Sequence, residues 1–215
     1  TGGSNAGDLD GLKDKTVGII GTGATAVQCV PHLGASAKEL FVFQRTPSSI
    51  DVRNNRETPQ EFIDSLEPGW QYRRMENFNK LVTGAHQDED LVNDGWTDIF
   101  RNLTGIAAKT AATKLGRRLT PAERAELMEM SDYRKMEAVR ARAQEIVDDP
   151  EVAESLKPYY RQFCKRPCFH DEYLPTFNLP NVNLVDTDGK GIDQFTEKGL
   201  IANGKEYELD CIIYA

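Results

Sequence analysis

A glycine-rich turn near the start of the chain carries the clearest chemical signal in this sequence. Residues 21–26 read Gly-Thr-Gly-Ala-Thr-Ala and match the G-x-G-x-x-G/A pattern of turns that bind a dinucleotide pyrophosphate. Gly21 would permit a tight turn, Gly23 would let the backbone approach the phosphates, and Ala26 would let a helix pack against a sheet. An apolar strand precedes the pattern and a helical pattern follows it, which is the context that the motif requires. The turn therefore predicts a dinucleotide site at a helix N-terminus, where unpaired amides favour anions.

The end of the next strand indicates which dinucleotide binds. Folds that bind NAD place Asp or Glu there, because a carboxylate accepts a hydrogen bond from the ribose 2′-hydroxyl. Residues 41–46 contain no acid and end in Arg45 and Thr46. A guanidinium can form paired hydrogen bonds to a 2′-phosphate, and a threonine hydroxyl can donate another. The sequence therefore predicts NADP(H) rather than NAD(H).

Two adjacent cations, Lys165 and Arg166, stand where strand-forming residues return. They could bind a phosphate and a second anion, although a basic pair considered alone is more typical of a solvated surface. Cys164 and Cys168 have no second pair of ligands with metal-site spacing, so no metal site is predicted. The four cysteines are interpreted as reduced thiols of a cytoplasmic protein.

The composition is that of a globular protein and argues against two classes of partner. Hydrophobic residues make up 39% and charged residues 28% of the 215 residues. The net charge of −8 is the opposite of that expected for a nucleic-acid-binding protein. No apolar run approaches the roughly 20 residues that span a bilayer. We therefore expect neither a nucleic acid nor a membrane as partner. Because the first residue is not methionine, we also expect the chain to be part of a longer protein.

The elements around the turn form a strand–helix–strand unit. Residues 16–20 are an apolar run that predicts the first strand, and residues 39–44 predict the second. Between them a helical pattern is expected to end near Leu33, because Gly34 follows it.

The middle of the chain has helical spacing of apolar residues and almost no strand pattern. Thr120, Pro121 and Glu123 form a capping box that begins a long helix. We expect its core-facing stripe to be Leu127, Met130, Tyr133, Met136, Val139, Ala143 and Ile146. Shorter helices are predicted over residues 59–66, 70–82, 95–113 and 150–156.

Strand patterns return after residue 165. Residues 182–185 and 210–214 predict two strands, and the latter is apolar. Asn203-Gly204 predicts a type I′ hairpin turn between strands 199–202 and 205–209. The fold class is therefore α/β: a Rossmann-like dinucleotide-binding domain with a parallel sheet, interrupted by a mostly α-helical insertion. The predicted division is residues 1–56 as the first part, 57–162 as the insertion and 163–215 as the second part.

Several segments together resemble the Baeyer–Villiger monooxygenase family. The segment VGIIGTGATAVQCVPHLGASAKELFVFQRTP at 17–47 resembles that family's NADPH-binding segment. The segments DVRNN at 51–55 and GWTDIF at 95–100 resemble its branch with a long helical insertion. The segment KRPCFHDEYLPTFNLPNVNLVDT at 165–187 resembles the return to the Rossmann domain, and DCIIYA at 210–215 resembles the strand before an A-T-G motif. The resemblance covers nearly the whole chain.

The resemblance implies roles for individual residues. The glycine turn and Gln28 would surround the pyrophosphate and the neighbouring ribose, Arg45 and Thr46 would hold the 2′-phosphate, and Lys165 would assist them. The implied cofactor-binding set is Gly21, Thr22, Gly23, Ala24, Thr25, Ala26, Gln28, Arg45, Thr46 and Lys165.

Arg166 matches the family's active-site arginine and is the one catalytic residue that the resemblance implies. A guanidinium keeps its charge at any working pH, so it can stabilise an anionic oxidant and the oxyanion formed when that oxidant attacks a ketone. The implied cofactors are NADP(H) and FAD, with FAD bound mainly by regions outside this chain. The family's first glycine fingerprint, for FAD, is absent here. We therefore expect the chain to be inactive without a flavin-binding domain.

Three other interpretations stay open at this point. An N- or S-hydroxylating flavin monooxygenase has the same two-nucleotide layout, but such relatives usually lack the arginine at position 166. A plain NADP-binding module without a flavin partner would be complete in itself, whereas the apolar strand at 210–215 suggests a continuation. A dehydrogenase would need an acid–base pair beside the nucleotide, and none can be named in this sequence.

Overall fold

The computed structural model describes residues 9–85, 87–104 and 112–215, with the backbone alone described for residues 101–104. The helices are α1 Ala24–Ser36, α2 Gln60–Asp64, α3 Trp70–Val82, α4 Gly95–Thr104, α5 Pro121–Ile146, α6 Pro150–Ser155 and α7 Tyr173–Thr176, and residues 112–115 are also helical. The strands are β1 Thr16–Ile20, β2 Glu39–Gln44, β3 Ile50–Asp51, β4 Cys168–Phe169, β5 Val182–Asp186, β6 Gln194–Thr196, β7 Gly199–Ala202, β8 Lys205–Glu208 and β9 Cys211–Tyr214. Short 3₁₀ turns occupy Asp10–Leu12 and Gln162–Cys164.

The chain forms two compact units. The first comprises the chain up to Asp51 together with Met136–Ala215, and the second is Val52–Lys135. The insertion boundaries inferred from the sequence, residues 57–162, stay a prediction. Among the described residues, no helix combines the length and the apolar character needed to cross a membrane.

A four-stranded parallel sheet forms the centre of the first unit. Its strand order is β5-β2-β1-β9, and each neighbouring pair runs parallel. The chain passes from β1 to β2 on one side, while β9 adds on the other side of β1, so the strand order reverses at β1. Ligands of open α/β sheets bind at the carboxyl ends of the strands next to such a reversal. The predicted α/β class with a parallel sheet is therefore confirmed.

Apolar residues of β1, β2 and α1 fill the core of this unit. Val17, Ile19 and Leu40 are completely buried, as are Ala26 and Val30 on the facing side of α1. A second small sheet of β6, β7 and β8 is antiparallel. Its β7–β8 turn is the predicted hairpin, which the positive φ angles of the two turn residues, 53° and 71°, confirm.

The predicted end of α1 at Gly34 is wrong, because the helix continues to Ser36. Gly34 is buried within the helix, and a Cβ built there would lie 2.8 Å from Thr176 Cγ2 and 3.0 Å from Val182 Cγ2. Glycine at this position therefore serves the close approach of α1 to α7 and β5, rather than termination of the helix.

The predicted stripe of α5 is correct only in its second half. Met136, Val139 and Ala143 are buried in the first unit, whereas Met130 and Tyr133 are 44% and 49% exposed in the second. The helix begins as predicted, since the Thr120 amide donates to Glu123 Oε2 (2.8 Å) and the Glu123 amide donates to Thr120 Oγ1 (3.2 Å). The shorter predicted helices correspond to α2, α3, α4 and α6, but residues 105–111 of the predicted 95–113 helix lie outside the described residues.

Candidate dinucleotide-binding site

The turn between β1 and α1 has the backbone that a pyrophosphate-binding turn requires. Gly21 has a φ of +115°, and its amide donates to the Phe43 carbonyl of β2 (3.0 Å). A Cβ at Gly21 would overlap the Ala215 carbonyl oxygen, so the position requires glycine for space as well as for conformation. The turn lies at the carboxyl end of β1, where the strand order reverses.

Gly23 and the start of α1 leave an open face that can accept an anion. Gly23 is exposed immediately before α1, and nothing lies within 4 Å of a Cβ built on it. The first turn of α1 has no acidic residue, and no side chain caps it. Free amides and the positive end of the helix dipole therefore face this space, which fits a phosphate group.

Two hydroxyl groups tie the glycine turn to the segment that follows β2. Thr22 Oγ1 donates to the Thr46 carbonyl (2.8 Å), and Ser48 Oγ donates to the Thr22 carbonyl. Both Thr22 and Ser48 are buried. Because the Thr22 hydroxyl already donates its proton to the Thr46 carbonyl, Thr22 Oγ1 can only accept a hydrogen bond from a ligand. The paired bonds hold the residues of the two predicted binding segments in fixed relative positions.

Three cations gather beside this turn. Lys165 Nζ donates to Thr46 Oγ1, and it lies 3.5 Å from each of the Thr46 and Pro47 carbonyl oxygens. Burial, and to a smaller extent the charge of Arg45, lowers the pKa of Lys165. In the described part of the chain, Arg45, Lys165 and Arg166 have no carboxylate partner at ion-pair distance. The uncompensated positive charge favours an anion at this corner.

These residues line one cavity of about 200 Å³ in the first unit. It brings together most of the residues that the sequence predicted for the site: Thr22, Gly23, Ala24, Arg45, Thr46, Lys165 and Arg166. Thr25 and Gln28 lie exposed on α1 outside the lining, and Ala26 is completely buried against the sheet. Contact of each residue with a nucleotide stays a prediction.

Sequence reasoning missed two parts of the site. One is Ser48, which lines the cavity and could have been noticed as a hydroxyl three residues after the basic position. The other is the loop over residues 187–191, which supports the end of β2. The Thr187 amide and Oγ1 both donate to the Gln44 carbonyl (2.8 Å each), and the Gly189 amide donates to the Arg45 carbonyl (3.0 Å). The Asp-Gly pair of this loop, with φ angles of 48° and 79°, was the available signal.

A wider polar cavity of about 650 Å³ lies in the second unit, between residues 52–59 and 91–98. It contains none of the predicted site residues. Arg53 and Asp94 of its lining form a long ion pair of 3.9 Å. The smaller cavity remains the candidate site despite its smaller volume, because the glycine turn, Arg45, Lys165 and Arg166 all lie there.

Comparisons with known proteins give a consistent set of relatives. No family model matches the chain. A Baeyer–Villiger monooxygenase of Stachybotrys chlorohalonatus is 57% identical over all 215 residues, which are 34% of its own length. The polycyclic ketone monooxygenase of Thermothelomyces thermophila has a similar structure, with a TM-score of 0.82 and 44% identity over all of this chain and 35% of that one. The enzyme OTEMO, crystallised with FAD and NADP, matches with a TM-score of 0.70 and 27% identity over 99% of this chain and 40% of its own. The chain thus spans about a third of the length of the curated relatives it matches.

Proposed function

This chain is homologous along its whole length to one segment of the Baeyer–Villiger monooxygenases, and from that premise we propose that it is the NADPH-binding part of an enzyme that converts ketones to esters or lactones with O₂. One observation carries the proposal. A single cavity joins the open face at Gly23 to Arg45 and Lys165, with no acid that would repel a 2′-phosphate.

Each residue of the cavity has a definite task in this proposal. The open backbone at Gly23 and the first amides of α1 hold the pyrophosphate. Arg45 and Lys165 neutralise the 2′-phosphate, and Thr46 donates its hydroxyl proton to that phosphate while it accepts from Lys165. When bound by these residues, NADPH would supply hydride to a flavin, and the reduced flavin would supply electrons to O₂.

Arg166 supplies the charge for the oxygen chemistry. It is exposed at the rim of the same cavity, next in the chain to Lys165. A permanently charged guanidinium stabilises negative charge on oxygen, and this stabilisation keeps an anionic oxidant unprotonated. It also lowers the energy of the oxyanion that forms when the oxidant attacks the ketone carbonyl. Arg166 is thus proposed as the catalytic residue of this segment.

The proposal extends to the surroundings of the enzyme. The flavin is held mainly by a separate FAD-binding part, so the segment alone does not turn over. A relative is named for polycyclic ketones, which makes large ketones the first substrates to examine. The four cysteines are free thiols, which fits residence in the reducing cytoplasm.

The direct test is calorimetric titration of the protein with NADP⁺ and with NAD⁺. We expect clear preference for NADP⁺, because only NADP⁺ offers a 2′-phosphate to Arg45 and Lys165. Equal affinity for the two nucleotides would contradict the assignment of Arg45 and Lys165. Absence of binding both to this chain and to a full-length protein that contains it would contradict the nucleotide site itself.

The affinity for NADP⁺ should also depend on the ionisation of Lys165. Its pKa is lowered, so the ammonium loses its proton at a pH below the ordinary lysine value, and attraction for the 2′-phosphate is lost as pH rises through that pKa. The affinity for NADP⁺ should therefore fall on the alkaline side, while the affinity for NAD⁺ changes little. The measurement is the dissociation constant of each nucleotide between about pH 7 and 10.

Replacement of Lys165 by arginine is the matched control. Arginine keeps its charge over this whole range, so the Lys165→Arg protein should lose less NADP⁺ affinity than the wild type at high pH. An identical alkaline fall in both proteins would assign the titration to another group.

A further inference from the structure

Tyr160 fixes the segment after β2 through its hydroxyl group. The hydroxyl donates to the Pro47 carbonyl (2.9 Å) and accepts a hydrogen bond from the Ser49 amide. Burial raises the pKa of Tyr160 to about 12, so the hydroxyl keeps its proton and remains a donor at neutral pH. The residues it holds immediately follow Arg45 and Thr46 in the chain.

The ring of the same tyrosine faces the ammonium group of Lys165. Lys165 Nζ lies 5.2 Å from the ring centroid, within the range of a cation–π interaction. Arg45 repels this ammonium, because its positive charge contributes to the lowered pKa of Lys165. The ring and the carbonyl oxygens of residues 46 and 47 offset this repulsion, so the two cations can stay close before a phosphate arrives.

We infer that Tyr160 is a positioning residue for NADP⁺ selectivity: it joins the Lys165 ammonium to the segment that carries Arg45 and thereby prepares the 2′-phosphate site. This inference rests on the proposed function. Tyr160 is not part of the cavity lining, so it acts through Lys165 and not by contact with the nucleotide. A site prepared in this way binds its anion more tightly, because its side chains lose less conformational freedom when the anion binds.

The adjacent residue provides a matched control. Tyr159 has the same two kinds of contact: Arg140 lies 5.1 Å from its ring centroid, and its hydroxyl donates to Glu154 Oε1 (2.6 Å). It is 68% exposed and does not line the cavity. Substitutions of Tyr159 therefore remove similar interactions from the same stretch of chain without touching the cations of the site.

The experiment measures dissociation constants of NADP⁺ and NAD⁺ for full-length protein with Tyr160→Phe, Tyr160→Leu or the same two changes at Tyr159. Tyr160→Leu removes both ring and hydroxyl and should weaken NADP⁺ binding about tenfold, with a change of less than about twofold for NAD⁺. Tyr160→Phe keeps the ring and should weaken NADP⁺ binding about threefold. The Tyr159 variants should leave the ratio of the two constants unchanged. Thermal unfolding identifies any variant that has lost its fold, and Tyr160→Phe then carries the test.

The effect of Tyr160→Leu is also measured in a protein that already carries Lys165→Met. If the ring of Tyr160 acts through Lys165, Tyr160→Leu should weaken NADP⁺ binding in the Lys165→Met protein by no more than the roughly threefold effect of the lost hydroxyl. Equal losses for both nucleotides, or full additivity with Lys165→Met, would overturn the positioning role. A wild-type protein without NADP⁺ preference would overturn the proposed function and this inference together, whereas a preference that survives Tyr160→Leu overturns this inference alone.

Discussion

Replacement of Arg166 by alanine in the full-length flavoprotein is expected to abolish ester formation and to leave flavin reduction by NADPH largely intact. Loss of one donor that stabilises an oxyanion typically lowers the rate about 100- to 1,000-fold. Hydride transfer does not need this charge, and the residues proposed to hold the phosphates are unchanged. Stopped-flow absorbance measures flavin reduction, and chromatography of the ketone and its ester measures oxygen insertion.

Arg166→Lys separates charge from shape. Lysine keeps the positive charge at neutral pH but lacks the planar fork, so this variant should retain part of the ester formation that alanine loses. NADPH consumption should continue in both variants, and the O₂ that is not inserted into the ketone should be reduced to hydrogen peroxide with electrons from NADPH. Ester formation at the wild-type rate in Arg166→Ala would show that another group supplies the charge.

Local signals predicted the centre of the fold well. The strand–turn–helix–strand unit at residues 16–44 has local sequence signals for each of its elements, and the structure reproduces both predicted strands. The hairpin at residues 203 and 204 was equally predictable, because asparagine and glycine tolerate the positive φ angles of that turn. A glycine pattern directly after an apolar strand leaves few alternatives for the backbone.

Contacts between distant residues explain what the sequence could not reveal. The role of Gly34 depends on Thr176 and Val182, more than 140 positions later, so its place inside α1 looked like a helix end. The bond from Ser48 to the Thr22 carbonyl likewise joins two segments that have no shared pattern. The helical spacing along α5 includes Met130, although Met130 is exposed. Periodicity shows which residues share one face of a helix, but not which part of that face other elements cover.

The place of the basic pair at residues 165 and 166 also depends on contacts between distant residues. Considered in sequence alone, the pair was more typical of a solvated surface. The fold brings it to the end of β2 through the hydrogen bonds of Lys165 with Thr46. Two signals that were weak separately, a basic pair and an arginine without a neighbouring acid, thus lie in one cavity.

Arg45→Ala should weaken NADP⁺ binding about 30-fold, because a charge-assisted hydrogen bond contributes about 2 kcal/mol. NAD⁺ lacks the 2′-phosphate, so its affinity should change less than about threefold under the same conditions, since the lost contacts are confined to the 2′ position. The backbone of Arg45 is held independently, by the Gly189 amide at 3.0 Å, so the substitution should leave the turn in place. Titration calorimetry of both nucleotides, at one fixed salt concentration, measures the two changes.

Two further variants decide whether charge or position is responsible. Arg45→Lys keeps the charge without the fork and should fall between wild type and Arg45→Ala. Lys190→Ala removes an exposed cation from the adjacent 187–191 loop, and should weaken NADP⁺ binding about as much as Arg45→Ala does if only the general field of the surface attracts the nucleotide. A parallel loss of NADP⁺ and NAD⁺ affinity in Arg45→Ala would mean that the arginine supports the fold of the turn. A loss confined to NADP⁺, with Lys190→Ala unchanged, would place the 2′-phosphate at Arg45.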